Sequence, residues 1–305
     1  MSGETEENDN YNWRCDMDDL RICNEVLSDN QIKNIFGGKL NFVWEGDYEV
    51  NNQSDLENIS GCTLISGSLS ISRSSLRTLH GLESLRSVGS LGISYNSQLC
   101  DIYALSNLTS AGAISIFGNL RLQDLSGLSN LIESDGLLID RGDIILNNLL
   151  VINGDLRVEA RDCRRLEMRN LLMIKDGLFI VDDGNDVGSI QNINLSNLQF
   201  IGGGIRIFHQ LSLQELNLIN LTSIGGTLII SDTSLNNLSG LGSLTLINGD
   251  LVISDNSLMT SLQLDSLRIV KGDITINYNN SLSSFLCRDL ANRLKCFKGD
   301  ISIMN

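Results

Sequence analysis

The 305-residue chain contains no proline, where ordinary usage near 5% would supply about fifteen. Proline removes a ladder hydrogen bond, so its absence suits a chain built largely of paired strands. Only two histidines occur, His80 and His209, and there is no Cys-x-x-Cys pair. Together these absences exclude the common zinc frameworks, and no residue pattern calls for a cofactor. No run of 18 apolar residues is present, so no membrane-spanning helix is expected. Basic residues are scarce: 22 Lys and Arg against 37 Asp and Glu leave a net charge of −15. Without a lysine-arginine cluster, that balance argues against nucleic acid and anionic membrane as partners. Residues 1–12 are polar and lack the apolar core of a signal peptide.

What the chain does contain is a repeat. Gly226–Leu235 reads G-T-L-I-I-S-D-T-S-L, and Gly249–Leu258, starting 23 residues later, reads G-D-L-V-I-S-D-N-S-L. Gly272–Leu282 follows as G-D-I-T-I-N-Y-N-N-S-L. A fixed period of this size marks a solenoid. Within each repeat, Leu228/Ile230, Leu251/Ile253 and Ile274/Ile276 alternate with other residues, which sends each pair to one face of a strand. Three positions later comes a polar slot, Thr233, Asn256 or Asn279. Turned inward at a corner, such a side chain satisfies backbone groups left unpaired by a tight coil. Leucines then recur in steps of three (Leu235, Leu238, Leu241, Leu244, then Ile247), a spacing that predicts a largely non-helical return path.

Reading backwards, the same slots hold Tyr48/Val50, Leu69/Ile71, Leu91/Ile93, Ile114/Ile116, Leu137/Ile139, Leu156/Val158, Leu178/Ile180 and Ile205/Ile207, and Ile301/Ile303 ends the series. The expected fold is an all-β solenoid. It is a right-handed parallel β-helix of about twelve ~23-residue coils, roughly 55 Å long. Coil spacing shrinks near residues 135–154 and grows near 176–203. Three segments are expected: a polar tail and helical cap over 1–45, the solenoid over 46–283, and a C-terminal helical cap with a last strand over 284–305. Met17, Leu20, Cys23 and Leu27 mark one face of an N-terminal helix, and Ser28 with Gln31 a capping box for a second. Ser54 with Glu57 reads as another capping box, and Leu286, Leu290 and Leu294 as the buried face of a final helix.

The seven cysteines, Cys15, Cys23, Cys62, Cys100, Cys163, Cys287 and Cys296, crowd towards the two ends. Cys15, Cys23, Cys62, Cys287 and Cys296 are disulfide candidates in an oxidising compartment, with buried free thiols as the alternative. If the protein is exported, Cys62 is expected to bridge to Cys15 or Cys23. On one continuous helix Cys287 and Cys296 would sit roughly 13 Å apart, too far to bridge. Cys163, in mid-coil, reads as a core thiol. Seven N-x-S/T sequons occur, at Asn52, Asn58, Asn107, Asn194, Asn220, Asn237 and Asn279; a chain this rich in Asn and Ser produces several by chance. Arg141-Gly142-Asp143 spells an adhesion tripeptide at a position where a repeat corner also requires glycine.

The stretch Cys62–Ile71 (C-T-L-I-S-G-S-L-S-I) resembles the opening of a receptor L domain, the ligand-binding module of insulin- and EGF-receptor ectodomains. Gln53–Gly61 is similar also to fungal GPI-anchored cell-wall proteins with the same repeats, and the L-x-I-x-x-N-x-L of Leu251–Leu258 is shared with leucine-rich repeats generally. The resemblance covers about residues 46–305. It implies a capped right-handed solenoid, extracellular or at the cell surface, that acts by binding.

Register also predicts where binding would occur. Between and after the inward pairs, outward positions are small or polar at the ends of the stack: Ser68, Ser70 and Ser72, or Asp273, Thr275 and Asn277. In the middle they become Phe117, Leu138, Arg157, Phe179, Val181, Arg206, Phe208, Ile229 and Val252. An apolar patch with arginines marks an interaction site, so the expected function is non-catalytic recognition of a protein or glycan, or self-association, through this face. A structural cell-surface repeat protein is the alternative. A β-helix carbohydrate-active enzyme using Asp182 and Asp183 comes third, since neighbouring carboxylates on a strand end point apart.

Overall fold

The computed structural model describes residues 42–182, 189–294 and 299–304. The chain divides into two compact units, Met1–Phe42 and Val43–Asn305. The helices expected over residues 15–36 lie outside the described residues. The second unit is a right-handed parallel β-solenoid.

The coil from Leu246 shows how the repeat folds. Leu246–Ile247 forms a short strand, the chain bends at Gly249-Asp250, and Leu251–Ser254 forms the longer strand. Each strand pairs in parallel with its equivalents in the coils before and after: Leu251 lies between Leu228 and Ile274, and Ile253 between Ile230 and Ile276. Twelve longer strands stack in this way from Tyr48–Val50 to Ile301–Met304. Their inward pairs from Leu69/Ile71 to Ile274/Ile276 are no more than 2% exposed, and they join the return-path leucines in one continuous core. The last pair differs. Ile301 is 46% exposed, because no further coil covers it.

The glycine bend is a requirement of close stacking. A Cβ on Gly112 would sit 1.8 Å from the carbonyl oxygen of Gly89 one coil away, a separation no side chain can occupy. After the long strand, the residue before the polar slot takes a left-handed conformation, as at Tyr95, Asp232, Asp255 and Tyr278 (φ +56° to +60°). This turn drives the slot residue inward, where it hydrogen-bonds between coils. The Asn119 carboxamide oxygen accepts from the Asn96 backbone N–H at 2.9 Å, and Asn96 Nδ2 donates to the Ile71 carbonyl at 2.9 Å. Thr233, Asn256 and Asn279 repeat the arrangement near the other end.

The return path is largely non-helical, as steps of three require. Single 3₁₀ turns occur at Tyr103–Leu105, Ser126–Leu128 and Ser239–Leu241. In the middle coils this side becomes a separate four-stranded parallel sheet, Ile144–Ile145, Arg165–Glu167, Asn192–Asn194 and Glu215–Asn217. The pattern of inward pairs does not announce these short strands, because a two- or three-residue strand shows no alternation of its own.

Several local expectations shift. The helix Gln53–Asn58 is capped by Asn52 with Asp55 returning the bond, rather than by Ser54 and Glu57. Asn52 sits where its side-chain oxygen reaches the free N–H groups of Ser54 and Asp55. The C-terminal helix Ser284–Arg293 buries Cys287 and Leu290 while Leu286 stays exposed. Leu258 likewise points to solvent at 55% exposure, and Met259 takes the inward place. No helix among the described residues is long and apolar enough to cross a membrane.

Candidate functional site on the sheet face

On the long-strand sheet, one outward position per coil lines up into a single row. From one end it reads Ser70, Gly92, Ser115, Leu138, Arg157, Phe179, Arg206, Ile229, Val252, Thr275, Ser302. Its six middle members are consecutive, and all are exposed or half-buried. Val181 and Phe208 are paired in a second row, after which Ser231 and Ser254 follow. Phe117 stands elsewhere. It packs edge-on to Tyr95 at 5.0 Å between ring centroids, with the Arg73 guanidinium 5.7 Å above the Tyr95 ring.

Within this strip a hollow of about 290 Å³ is lined by Arg157, Glu159, Val181, Asp182, Arg206 and Phe208. Arg157 Nε lies 3.8 Å from Glu159 Oε1, an ion pair within one strand. The Phe179 ring, between the two arginines in register, leans back over Gly177, where a Cβ would meet its Cε2 at 2.5 Å. Phe208 is 44% exposed. Beside it, His209 Nδ1 is 2.5 Å from Asp232 Oδ2 in the next coil. Glu159 was legible as the next outward position after Arg157. The His209–Asp232 pair was not, since its members are 23 residues apart and meet only across coils.

A larger hollow, about 430 Å³, lies against the return path and includes Asn107, Asn130, Ile132, Asn148 and Leu150. Its asparagine amides serve the backbone: Asn107 Nδ2 donates to the Glu83 carbonyl at 2.7 Å and Asn130 Nδ2 to the Ser106 carbonyl at 2.8 Å. Sequence reading also missed that arginines gather in neighbouring coils. Arg141 pairs with Asp162, Arg165 with Asp143 and Arg169 with Glu167, so carboxylates meet these charges within the fold. The Arg-Gly-Asp tripeptide is absorbed in the same way. Burial opposes the charged form of Asp143, but donation from the Arg164 and Arg165 backbone N–H groups and the Arg165 guanidinium outweighs it, holding the carboxyl below its usual range. Among the sequons, Asn279 is fully buried as a ladder residue.

The disulfide expectation is overturned. Cys62, Cys100 and Cys163 are free thiols, so the proposed bridge from Cys62 is not formed. Cys62 is 1% exposed and fills the core beneath its own strand. Cys15, Cys23 and Cys296 lie outside the described residues. Burial, reinforced by the nearby Asp143 charge, pushes the Cys163 thiol up to about 12. Thiolates are the reactive form. Peptide mapping after brief alkylation of folded protein should therefore find Cys100 modified before Cys62 and Cys163, which react only on unfolding. Omitting reductant should leave this order unchanged; rapid modification of Cys163 in the folded protein would contradict the burial.

Asp182 is buried at 5% exposure, and Asp183 lies outside the described residues. Among the described residues, no group of three or more His, Cys, Asp or Glu side chains is placed to hold a metal ion. No protein-family model matches the chain, and no curated protein matches its sequence. By architecture it is a parallel β-solenoid, a fold similar to that of leucine-rich-repeat and L-domain-like solenoids in general.

Proposed function

We propose that this chain is a non-catalytic recognition module, extracellular or at a cell surface, that captures a protein or glycan partner on the outward face of its long-strand sheet. The observation that supports it is the change along one register row, from Ser70, Gly92 and Ser115 to Leu138, Arg157, Phe179, Arg206, Ile229 and Val252, and back to Thr275 and Ser302. Every coil needs the same inward residues, so stacking alone gives no reason for the outward ones to turn to large apolar side chains and arginines over six consecutive coils. Large exposed apolar side chains on a rigid sheet are what binding surfaces use.

Charge-introducing changes test this reading. Phe179→Asp and Phe208→Asp should leave the thermal midpoint within a few degrees, because both side chains stand on the outer face. The same changes should abolish capture of the partner from a surface extract, and sedimentation of the purified chain reports self-association. Unaltered capture, or an unfolded monomer, would defeat the proposal.

A further inference from the structure

We infer that the hollow on the sheet face is a sugar-binding subsite that receives one neutral pyranose ring of an oligosaccharide chain. The inference rests on the recognition role proposed above and commits it to a glycan.

Three observations carry it. The first is charge balance. The lining sets Arg157 and Arg206 against Glu159 and Asp182, so its formal charges cancel. A site for an anion or a cation would carry an excess of the opposite sign. A balanced set of fixed donors and acceptors instead suits a ligand whose hydroxyl groups both donate and accept. The second is the wall. Phe208 and Val181 give the hollow an apolar side next to these polar groups, as the C–H face of a pyranose ring requires. Phe179, next to both arginines in register, extends the aromatic surface along the stack.

The third is extent. The apolar and arginine positions occupy six consecutive coils of one sheet. At about 4.8 Å per coil and about 13 Å of strand length, that strip covers roughly 350 Å². A standard protein interface takes about 800 Å² from each partner. A narrow strip of this kind fits an extended chain lying across the strands, one that places a single ring in the hollow and leans its neighbours on Phe179 and Ile229.

The probes are cellotetraose, laminaritetraose, mannotetraose and N-acetylchitotetraose, with tetragalacturonate and short polyglutamate and polylysine peptides as charged comparisons. Titration calorimetry and saturation-transfer NMR on the full chain should find at least one neutral tetrasaccharide bound, with little dependence on salt. Phe208→Ala and Arg206→Gln should each weaken that binding by about tenfold or more, with the folded state checked by circular dichroism. Phe285→Ala, an exposed change on the C-terminal helix, should leave it unaltered. Should Phe208→Ala unfold the chain, Arg206→Gln alone decides. The inference is overturned if no neutral tetrasaccharide binds, if only a charged probe binds, or if binding survives both variants. Loss of sugar binding alongside continued Phe179-dependent capture of a protein would overturn the sugar subsite and leave the recognition role standing. Shortening of the bound tetrasaccharide over time would instead refute the non-catalytic reading.

Discussion

Replacing Ile253 with aspartate should cost several kcal/mol or abolish folding, while the same change at adjacent Val252 should be mild. Ile253 is fully buried, stacked between Ile230 and Ile276. A carboxylate placed there has no cation within the apolar interior and no water, and burying an unpaired charge is among the most damaging single changes. Val252 faces solvent, between Ile229 and Thr275 on the outer row. Urea unfolding followed by circular dichroism checks both variants. Comparable damage from the two would mean that the strand presents its faces differently from the register described here.

A second large effect is expected at Asn256, where no charge or apolar contact is at stake. Its side-chain oxygen accepts from Thr233 N–H at 3.1 Å and from Thr233 Oγ1 at 2.6 Å. Its Nδ2 donates to the carbonyls of Ile230 at 3.0 Å and Ser254 at 2.9 Å, while its backbone N–H donates to Asn279 Oδ1 at 3.1 Å. Asn256→Ala removes the side-chain partner of the Thr233 N–H and of the Ile230 and Ser254 carbonyls at a fully buried site. At about 1–3 kcal/mol for each unsatisfied group, the loss should be about 3–5 kcal/mol. Asn280→Ala, on the exposed side of the same kind of corner, should stay within about 0.5 kcal/mol. Equal losses at the two positions would show that the ladder does not hold the coils together.

These two residues also show why the fold was readable. Ile253 and Asn256 recur at fixed offsets because each coil solves the same problem with the same residue types. Alternation marks the strand, and an inward amide marks the left-handed corner that ends it. What escaped reading were features with no period. Asn52 caps the helix Gln53–Asn58 by the reach of its side chain to two free N–H groups. The middle coils form a second sheet, in which Leu166 pairs with Ile144 and Ile193 across coils of unequal length. Cys62 lies among buried leucines as a free thiol, although its position near one end had suggested a staple.

The outer face divides along the same line. That Phe179 and Arg206 point away from the core follows from parity with their neighbours, and sequence alone was enough for it. That Arg157, Glu159, Val181, Asp182, Arg206 and Phe208 surround one hollow was decided by stacking, since they come from three strands whose spacing along the chain differs. Phe117 makes the contrast. Its parity matches that of Phe208, yet it lies three long strands before Val181 and packs instead on Tyr95 of the preceding coil. Local sequence determines which way a side chain faces, because strand geometry alternates at every residue. Which side chains meet is determined by register between coils, an interaction over distances of about twenty residues that no short pattern contains.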